Sequence, residues 1–280
     1  MTTHYALWEK RIYWFGLFAV LLVRAGLFDA SALPAGSVPV RYTEGLLHGF
    51  LVLRTLEGNP IGDGDLTQVA KHEEVTDHLV FHFRDGSIYE ETTVFSQRGR
   101  FRLLSDHRVQ KGPAFKRPME TSINAFTGQV TVRYTDDDGK EKLLTERLKL
   151  PPDVANGLVF TLIKNIQPGA PSTTVSMVAA TPKPRLVKLV ISPQDEEPFS
   201  IGAYNYKAMH YVVKVEIGGA AGWLAPLLGR QPPDIHVWVL GGVAPIVVKS
   251  EGPLYEGGPV WRIELAIPVW PQGSGDSSKD

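Results

Sequence analysis

The stretch from Thr76 to Phe95 carries the side chains with the clearest chemical potential in this chain. Two runs of β-favouring residues flank the pair Asp85-Gly86, which tolerates the positive φ angles of a tight hairpin turn. A two-residue turn at this pair, followed by strict alternation along both strands, places four side chains on one face: His78, His82, Tyr89 and Glu91.

Two imidazoles and a carboxylate form a known ligand set for zinc. His78, His82 and Glu91 are therefore a candidate metal site, and a metal-dependent hydrolase built on them is one functional hypothesis. The alternative is a solvated or groove-lining polar face, because any alternating strand brings such residues together.

Other catalytic patterns are missing from the sequence. No serine lies in a Gly-x-Ser-x-Gly elbow, and the absence of cysteine excludes disulfides, thiolate metal sites and a cysteine nucleophile. The acidic stretches 62–65 and 136–139 lack the closing Glu of a calcium loop and are interpreted as turns. The sequence indicates no catalytic residue and no cofactor.

Composition limits the partners of the chain. Its 280 residues carry a formal net charge of -1, and 43% of them are hydrophobic. A balanced charge argues against nucleic-acid binding, which needs a basic face; the cluster Arg98, Arg100 and Arg102 is interpreted as a solvated strand end. The apolar content suffices for a sizeable core.

Short alternating segments separated by turns predict strands along most of the chain. The predicted strands are 45–56, 61–71, 76–84, 88–95, 100–110, 129–134, 144–150, 173–179, 185–191, 206–217, 236–240, 244–250 and 260–266. Only Asp153 to Asn165 shows helical spacing, with Asp153 as its N-cap. The prediction is a mainly β fold: a single large antiparallel sheet, curved or barrel-like, with one short helix packed on its concave face.

A concave face that one short helix covers only in part leaves room for an apolar ligand. Candidate ligand-binding residues are Leu158 and Leu162 on the helix, and Trp238 on a late strand. Trp223 joins them from the charge-free connection 218–229, which is either an exposed loop that touches a membrane or a partner, or a lid packed over one end of the core.

The N-terminus has the layout of a secretory signal peptide. Lys10 and Arg11 precede the apolar run 12–23, and Ala30-Ser31-Ala32 is a small-residue cleavage site. Residues 1–32 are therefore expected to be a signal peptide or an uncleaved membrane anchor, 33–44 a linker, 45–268 the β-rich domain and 269–280 a disordered tail. This organisation predicts a periplasmic or secreted protein, or one anchored to the membrane by its N-terminal segment.

Strands in the C-terminal half resemble a known family. Tyr206 to Gly218, Pro233 to Val239, Pro245 to Lys249 and Trp261 to Leu265 follow the order of the uncharacterised periplasmic "domain of unknown function 3108". More distantly, strands curling around a helix resemble the half-barrels of lipoprotein carriers. The resemblance implies an envelope-associated β-rich protein that binds an apolar ligand, and it brings no catalytic residues.

Three functional hypotheses follow. The leading one is an exported, non-catalytic protein that binds a lipid-like or other apolar small molecule, or an envelope protein. The others are the metal-dependent hydrolase described above and a purely structural envelope module.

Export is directly testable. In a bacterial host the full-length chain should be cleaved near Ala32, because the apolar run 12–23 is short for a membrane span of roughly 20 residues. N-terminal sequencing of the periplasmic fraction measures this, and unprocessed protein in the cytosol would contradict it.

Overall fold

Fourteen strands and one helix make up the computed structural model, which describes residues 38–136, 138–179, 181–201, 204–217 and 232–266. The first seven strands are β1 (Leu47–Arg54), β2 (Pro60–Lys71), β3 (Glu74–Phe83), β4 (Ile88–Ser96), β5 (Arg102–Lys111), β6 (Met119–Asn124) and β7 (Gln129–Thr135). After β8 (Glu141–Arg147) and α1 (Val159–Lys164) come β9 (Thr173–Ala179), β10 (Arg185–Ile201), β11 (Tyr204–Glu216), β12 (Ile235–Leu240), β13 (Ile246–Pro253) and β14 (Val260–Leu265).

All fourteen strands belong to one antiparallel sheet. Consecutive strands are neighbours from β1 to β8 and from β9 to β14, and β1 pairs with β14, with Leu51 opposite Leu265. The sheet curves but does not close, because β8 and β9 are its two edges. The predicted mainly β fold with a curved antiparallel sheet is confirmed; β6 was not predicted, and β10 runs ten residues past the predicted end at Ile191.

The two edges are protected in different ways. Beside β9, Val154 forms a parallel bridge with Ser176, and Ala155 N donates to Ser176 O at 2.8 Å. β8 is mostly exposed and carries four charged residues in its sequence EKLLTER. A covering segment and a charged strand are both known means of preventing edge-to-edge association.

Helix α1 is shorter than its prediction. It begins at Val159, with Leu158 at the N-cap position and no side-chain cap. Gly157 stops the helix from starting earlier, because its φ of +67° is left-handed and a Cβ there would overlap the Thr93 side chain. The predicted N-cap Asp153 instead accepts a hydrogen bond from Ser176 Oγ at 3.3 Å, so that assignment was wrong. Among the described residues, no helix has the length and apolar character needed to cross a membrane.

The helix fills one end of the interior. Leu158, Leu162 and Ile163 are at most 3% exposed, and they pack with inward-facing residues from both halves of the sheet. Asn165, which follows the helix, accepts backbone hydrogen bonds from Arg41 and Tyr42 through Oδ1, both at 2.8 Å. We call this the helix end of the fold.

A second core lies at the other end, on the inward face of β1 to β4 and β14. Its buried members are Leu53, Phe81, Phe83, Tyr89, Phe115 and Trp261. The weakly patterned strand β2 requires a glycine at position 64. The ring of the fully buried Phe81 occupies the space that a Cβ at Gly64 would need.

The burial of α1 predicts the cost of truncating it. Leu162→Ala should lower the free energy of unfolding by about 2–5 kcal/mol, because it leaves a cavity in packed surroundings. The matched control is Leu143→Ala on β8, where the side chain is 63% exposed and the expected change is within about 0.5 kcal/mol. Urea denaturation measures both, and equal effects would contradict the placement of the helix.

Candidate functional site

A cavity of about 440 Å³ lies at one end of the sheet, and its lining contains no residue of α1. Its lining comes from the last residues of β5, β9, β11 and β13 and the first residues of β6, β10 and β12. In an antiparallel sheet these strand ends lie on the same side. Some of the lining residues also belong to the hydrophobic cluster that contains α1: Met119, Met177, Val178, Val215 and Ile235. We call this cavity the end pocket.

Apolar side chains form the walls of the end pocket. They include Met119, Met177, Val187, Val215 and Ile235, together with the ring of Tyr255. Register explains their convergence, because Met177 lies opposite Val187 on one side of the pocket and alternation turns both side chains inward. A cavity of this size with these walls is typical of a site for a small apolar molecule.

Positive charge is concentrated in the same pocket. Arg108 lines it from the inward face of β5 and is only partly buried, while Lys116, Arg117 and Arg185 lie in the lining on loops and a strand end. The lining carboxylate, Glu256, forms an ion pair with Arg185 at 3.5 Å. The pocket therefore combines hydrocarbon walls with an excess of cations.

Behind Arg108, a row of ionisable and polar residues crosses the interior of the sheet. Alternation places Asp77, Glu91, Thr93, Asp106 and Arg108 inward, with Thr93 opposite both Asp77 and Asp106, and Glu91 opposite Arg108. These five residues, which we call the polar belt, separate the core around α1 from the core around Phe81.

Hydrogen bonds satisfy the polar belt only in part. Thr93 Oγ1 donates to Asp106 Oδ1 at 3.0 Å, and Tyr89 Oη donates to Glu91 Oε2 at 3.1 Å. Asp77 Oδ1 and Asp106 Oδ2 are buried without a hydrogen-bonding partner, and Asp106 as a whole residue is only 1% exposed. Because an unpaired buried carboxylate oxygen is costly, the ionised form of both side chains is disfavoured.

Burial and like charges raise the pKa of both aspartates. Burial, followed by the nearby charge of Glu91, raises the pKa of Asp106 to about 7 against the opposing effects of Arg108 and Thr93. For Asp77, burial and Glu44 raise the pKa to about 7, and Lys164 opposes them. Both carboxyls consequently exchange their proton near neutral pH.

The Arg108 guanidinium keeps its charge in this environment. Burial by itself lowers its pKa, but Tyr89, Glu91 and Asp106 together hold that pKa above the ordinary value. The belt therefore contains a permanent cation that faces both a carboxyl pair and the end pocket.

The predicted arrangement of the metal-site residues was wrong. The hairpin loop has three residues, Arg84 to Gly86: Gly86 N donates to Phe83 O at 3.1 Å, and Phe83 N donates to Ser87 O at 2.9 Å. The extra residue shifts the register by one, so Tyr89 pairs with Phe81 rather than with His82. A one-residue shift moves every side chain of the second strand to the other face.

As a result, the structure does not bring the predicted ligands together. His78 and His82 lie on the outer face, where His78 Nε2 is 3.0 Å from Glu90 Oε1, while Glu91 faces the interior. In the part of the chain that the structure describes, no group of three His, Cys, Asp or Glu side chains could hold a metal ion.

The predicted ligand-binding residues are also separated. Leu158 and Leu162 are core residues of the helix end and do not line the end pocket. Trp238 lies on the outer face, where its indole donates to Glu197 Oε2 at 2.8 Å, stacks on His210 and receives the Lys249 ammonium 3.5 Å from the ring centroid. Trp223 lies outside the described residues.

Sequence reasoning missed Arg108 and Asp106. The segment 100–110 alternates only loosely because a bulge shifts the pairing between Val94 and Phe95 on β4, and on β5 Leu104 falls out of the register. From Ser105 onwards the alternation is regular, but the inward positions are polar, so a hydrophobic pattern could not identify them.

The raised pKa values predict how stability depends on pH. Asp77 and Asp106 bind their protons more tightly in the folded chain than at the ordinary value of 3.8, so their contribution to stability is lost as pH rises through about 7. The urea midpoint should therefore fall between pH ~5 and pH ~8, and Asp106→Asn should remove about half of that fall. Asp195→Asn, at the exposed bulge of β10, is the control and should leave the slope unchanged.

Comparisons with known proteins identify no family. No protein-family model and no curated protein matches this chain. Among solved structures, a beta-barrel-like protein of domain of unknown function DUF1849 from Brucella abortus is similar, with 11% identity and a TM-score of 0.41, over 80% of this chain and 96% of that chain. The resemblances to domain of unknown function 3108 and to lipoprotein carriers stay predictions from the sequence.

Proposed function

We propose that this chain is an exported, non-catalytic binding protein whose end pocket holds a small apolar molecule with an anionic group. The observation that carries the proposal is the position of Arg108 among apolar walls. Hydrocarbon walls supply affinity for the apolar part of a ligand, and a planar guanidinium binds carboxylate, sulfonate or phosphate oxygens in pairs.

The size of the end pocket supports a ligand of modest size. Small-molecule sites are typically about 300–1,000 Å³, and the cavity of 440 Å³ falls within that range. A shortened lipid, a fatty acid or a fused aromatic acid fits this volume better than a whole two-chain lipid does.

Charge in the lining supports an anionic ligand. Arg108, Lys116 and Arg117 face the pocket, and the carboxylate of Glu256 is engaged by Arg185. Cations near a low-dielectric wall attract an anion more strongly than cations in bulk water do, because the wall focuses the field. An apolar cation should bind less tightly than an anion of the same shape.

Export and an envelope location complete the proposal. They rest on the basic, apolar and small-residue segments of residues 1–32. An apolar ligand is consistent with this location, since exchange of water-insoluble molecules between membranes needs a protein that shields them.

Binding to the end pocket is tested with a fluorescent apolar amine, N-phenyl-1-naphthylamine, and by native mass spectrometry of the purified chain for co-purified ligand. Met177→Trp should weaken binding about tenfold or more, because the larger ring fills the pocket and occupies the space of the ligand. The control is Leu143→Trp on the exposed edge strand β8, which should bind like the wild type.

Two results would contradict the proposal. One is wild-type protein that binds neither the dye nor any co-purified small molecule. The other is equal binding by Met177→Trp and the control when both variants show a cooperative unfolding transition, because the dye would then occupy another surface.

A further inference from the structure

The strand β5 connects the end pocket to the buried acids behind it. Asp106 and Arg108 alternate on its inward face, and Arg108 lies directly opposite Glu91 on β4. Arg108 is therefore the side chain through which the pocket and the polar belt meet.

We propose that Asp106 and Glu91 couple anion binding at Arg108 to the uptake of a proton, so that the end pocket holds anionic ligands more tightly in weakly acidic than in weakly alkaline solution. This inference rests on the proposed function, because it concerns the regulation of the same pocket.

The first argument is the charge balance around Arg108. With Glu91 and Asp106 both ionised, the three side chains sum to one negative charge, and an entering anion would add a second. With one carboxyl protonated the three sum to zero, so the guanidinium attracts an anion without opposition. Buried charge without a partner is costly, which makes the protonated arrangement the one that admits a ligand.

The second argument is the hydrogen bonding of Asp106. Thr93 donates to Oδ1, but Oδ2 has no partner although the residue is only 1% exposed. An ionised carboxylate would leave negative charge on that oxygen uncompensated, whereas a protonated carboxyl would not. Asp106 is therefore the member of the pair that takes up the proton, consistent with its pKa of about 7.

Other titratable groups near the pair do not explain the effect. Tyr89 donates to Glu91 and burial raises the pKa of its phenol well above the ordinary value, so it stays neutral. The segment 154–157, which contacts Thr93 through Gly157, contains no titratable side chain. Asp77 also exchanges a proton near pH 7, but the charges that act on it are Glu44, Lys164 and Glu91 rather than Arg108.

The charged side chains that line the pocket itself are three basic ones, Lys116, Arg117 and Arg185, and Glu256, which is ion-paired with Arg185. Linkage then requires that an anion which binds better to the protonated form raises the pKa of Asp106 further, and a proton enters with the ligand.

The test uses two dyes that differ by one anionic group. 1-Anilinonaphthalene-8-sulfonate carries a permanent sulfonate, and N-phenyl-1-naphthylamine has the same rings without it. For the wild type, the Kd of the sulfonate should rise about tenfold between pH ~6 and pH ~8.5, as expected for one additional charge near the site, while the Kd of the neutral dye stays constant.

Variants assign the effect to the residues. Asp106→Asn should keep tight sulfonate binding at both pH values, because the amide is permanently neutral and still accepts from Thr93. Arg108→Gln should weaken sulfonate binding at both values, and by a larger factor than it weakens binding of the neutral dye. Glu90→Gln, on the outer face beside Glu91, is the matched control and should retain the wild-type pH dependence.

Calorimetry supplies a second readout. The binding enthalpy of the sulfonate near pH 7 should change with the ionisation enthalpy of the buffer for the wild type but not for Asp106→Asn, because the wild type takes up a proton. If Asp106→Asn does not fold, Glu91→Gln should reduce the pH dependence in the same way.

The possible failures are distinguishable. If neither dye binds, the proposed function itself is wrong. If both dyes bind but the Kd of the sulfonate is independent of pH, or if Asp77→Asn rather than Asp106→Asn removes the dependence, the proton coupling is overturned and the pocket remains.

Discussion

A sheet of fourteen strands that curls on itself encloses more space than its own side chains can fill, and the rest of this structure follows from that constraint. The six-residue helix α1 fills one end, where Leu158, Leu162 and Ile163 are almost completely buried. Aromatic rings around Phe81 and Trp261 fill part of the other. What neither covers is the end pocket, so this cavity is the part of the concave face that packing leaves open.

The polar belt is the most costly part of the interior, and it explains why the two cores are separate. Three carboxyls, one guanidinium and one hydroxyl replace hydrocarbon at the level where the helix core ends. Such groups are tolerated when they are paired, and here two carboxylate oxygens are not. Such an energetic cost in the middle of a core is expected where the charged groups have a function. Within the polar belt, Arg108 is the side chain that also lines the end pocket.

The outer face shows the opposite arrangement, in which polar groups satisfy one another. Glu197 accepts from the Trp238 indole at 2.8 Å and lies 3.0 Å from His210 Nδ1, and Lys249 covers the indole ring. His210 is 2.9 Å from His236 Nδ1. Burial lowers the pKa of His210 against the opposing effect of Glu197, and the imidazole ring stacks on the Trp238 indole.

Alternation along the chain and the turn residues between segments determined that this protein is a mainly β structure with an antiparallel sheet, because both signals are local. The same pattern identified the apolar helix segment, since no other stretch has its spacing. Neither the alternation nor the turn residues could settle which side of a strand faces inward when both sides carry polar residues. At the hairpin after β3, one extra loop residue moved Glu91 from the face of His78 to the interior beside Arg108. The end pocket was decided by the tertiary structure alone, because its lining comes from seven strands and their loops, and only the curvature of the sheet brings their ends together.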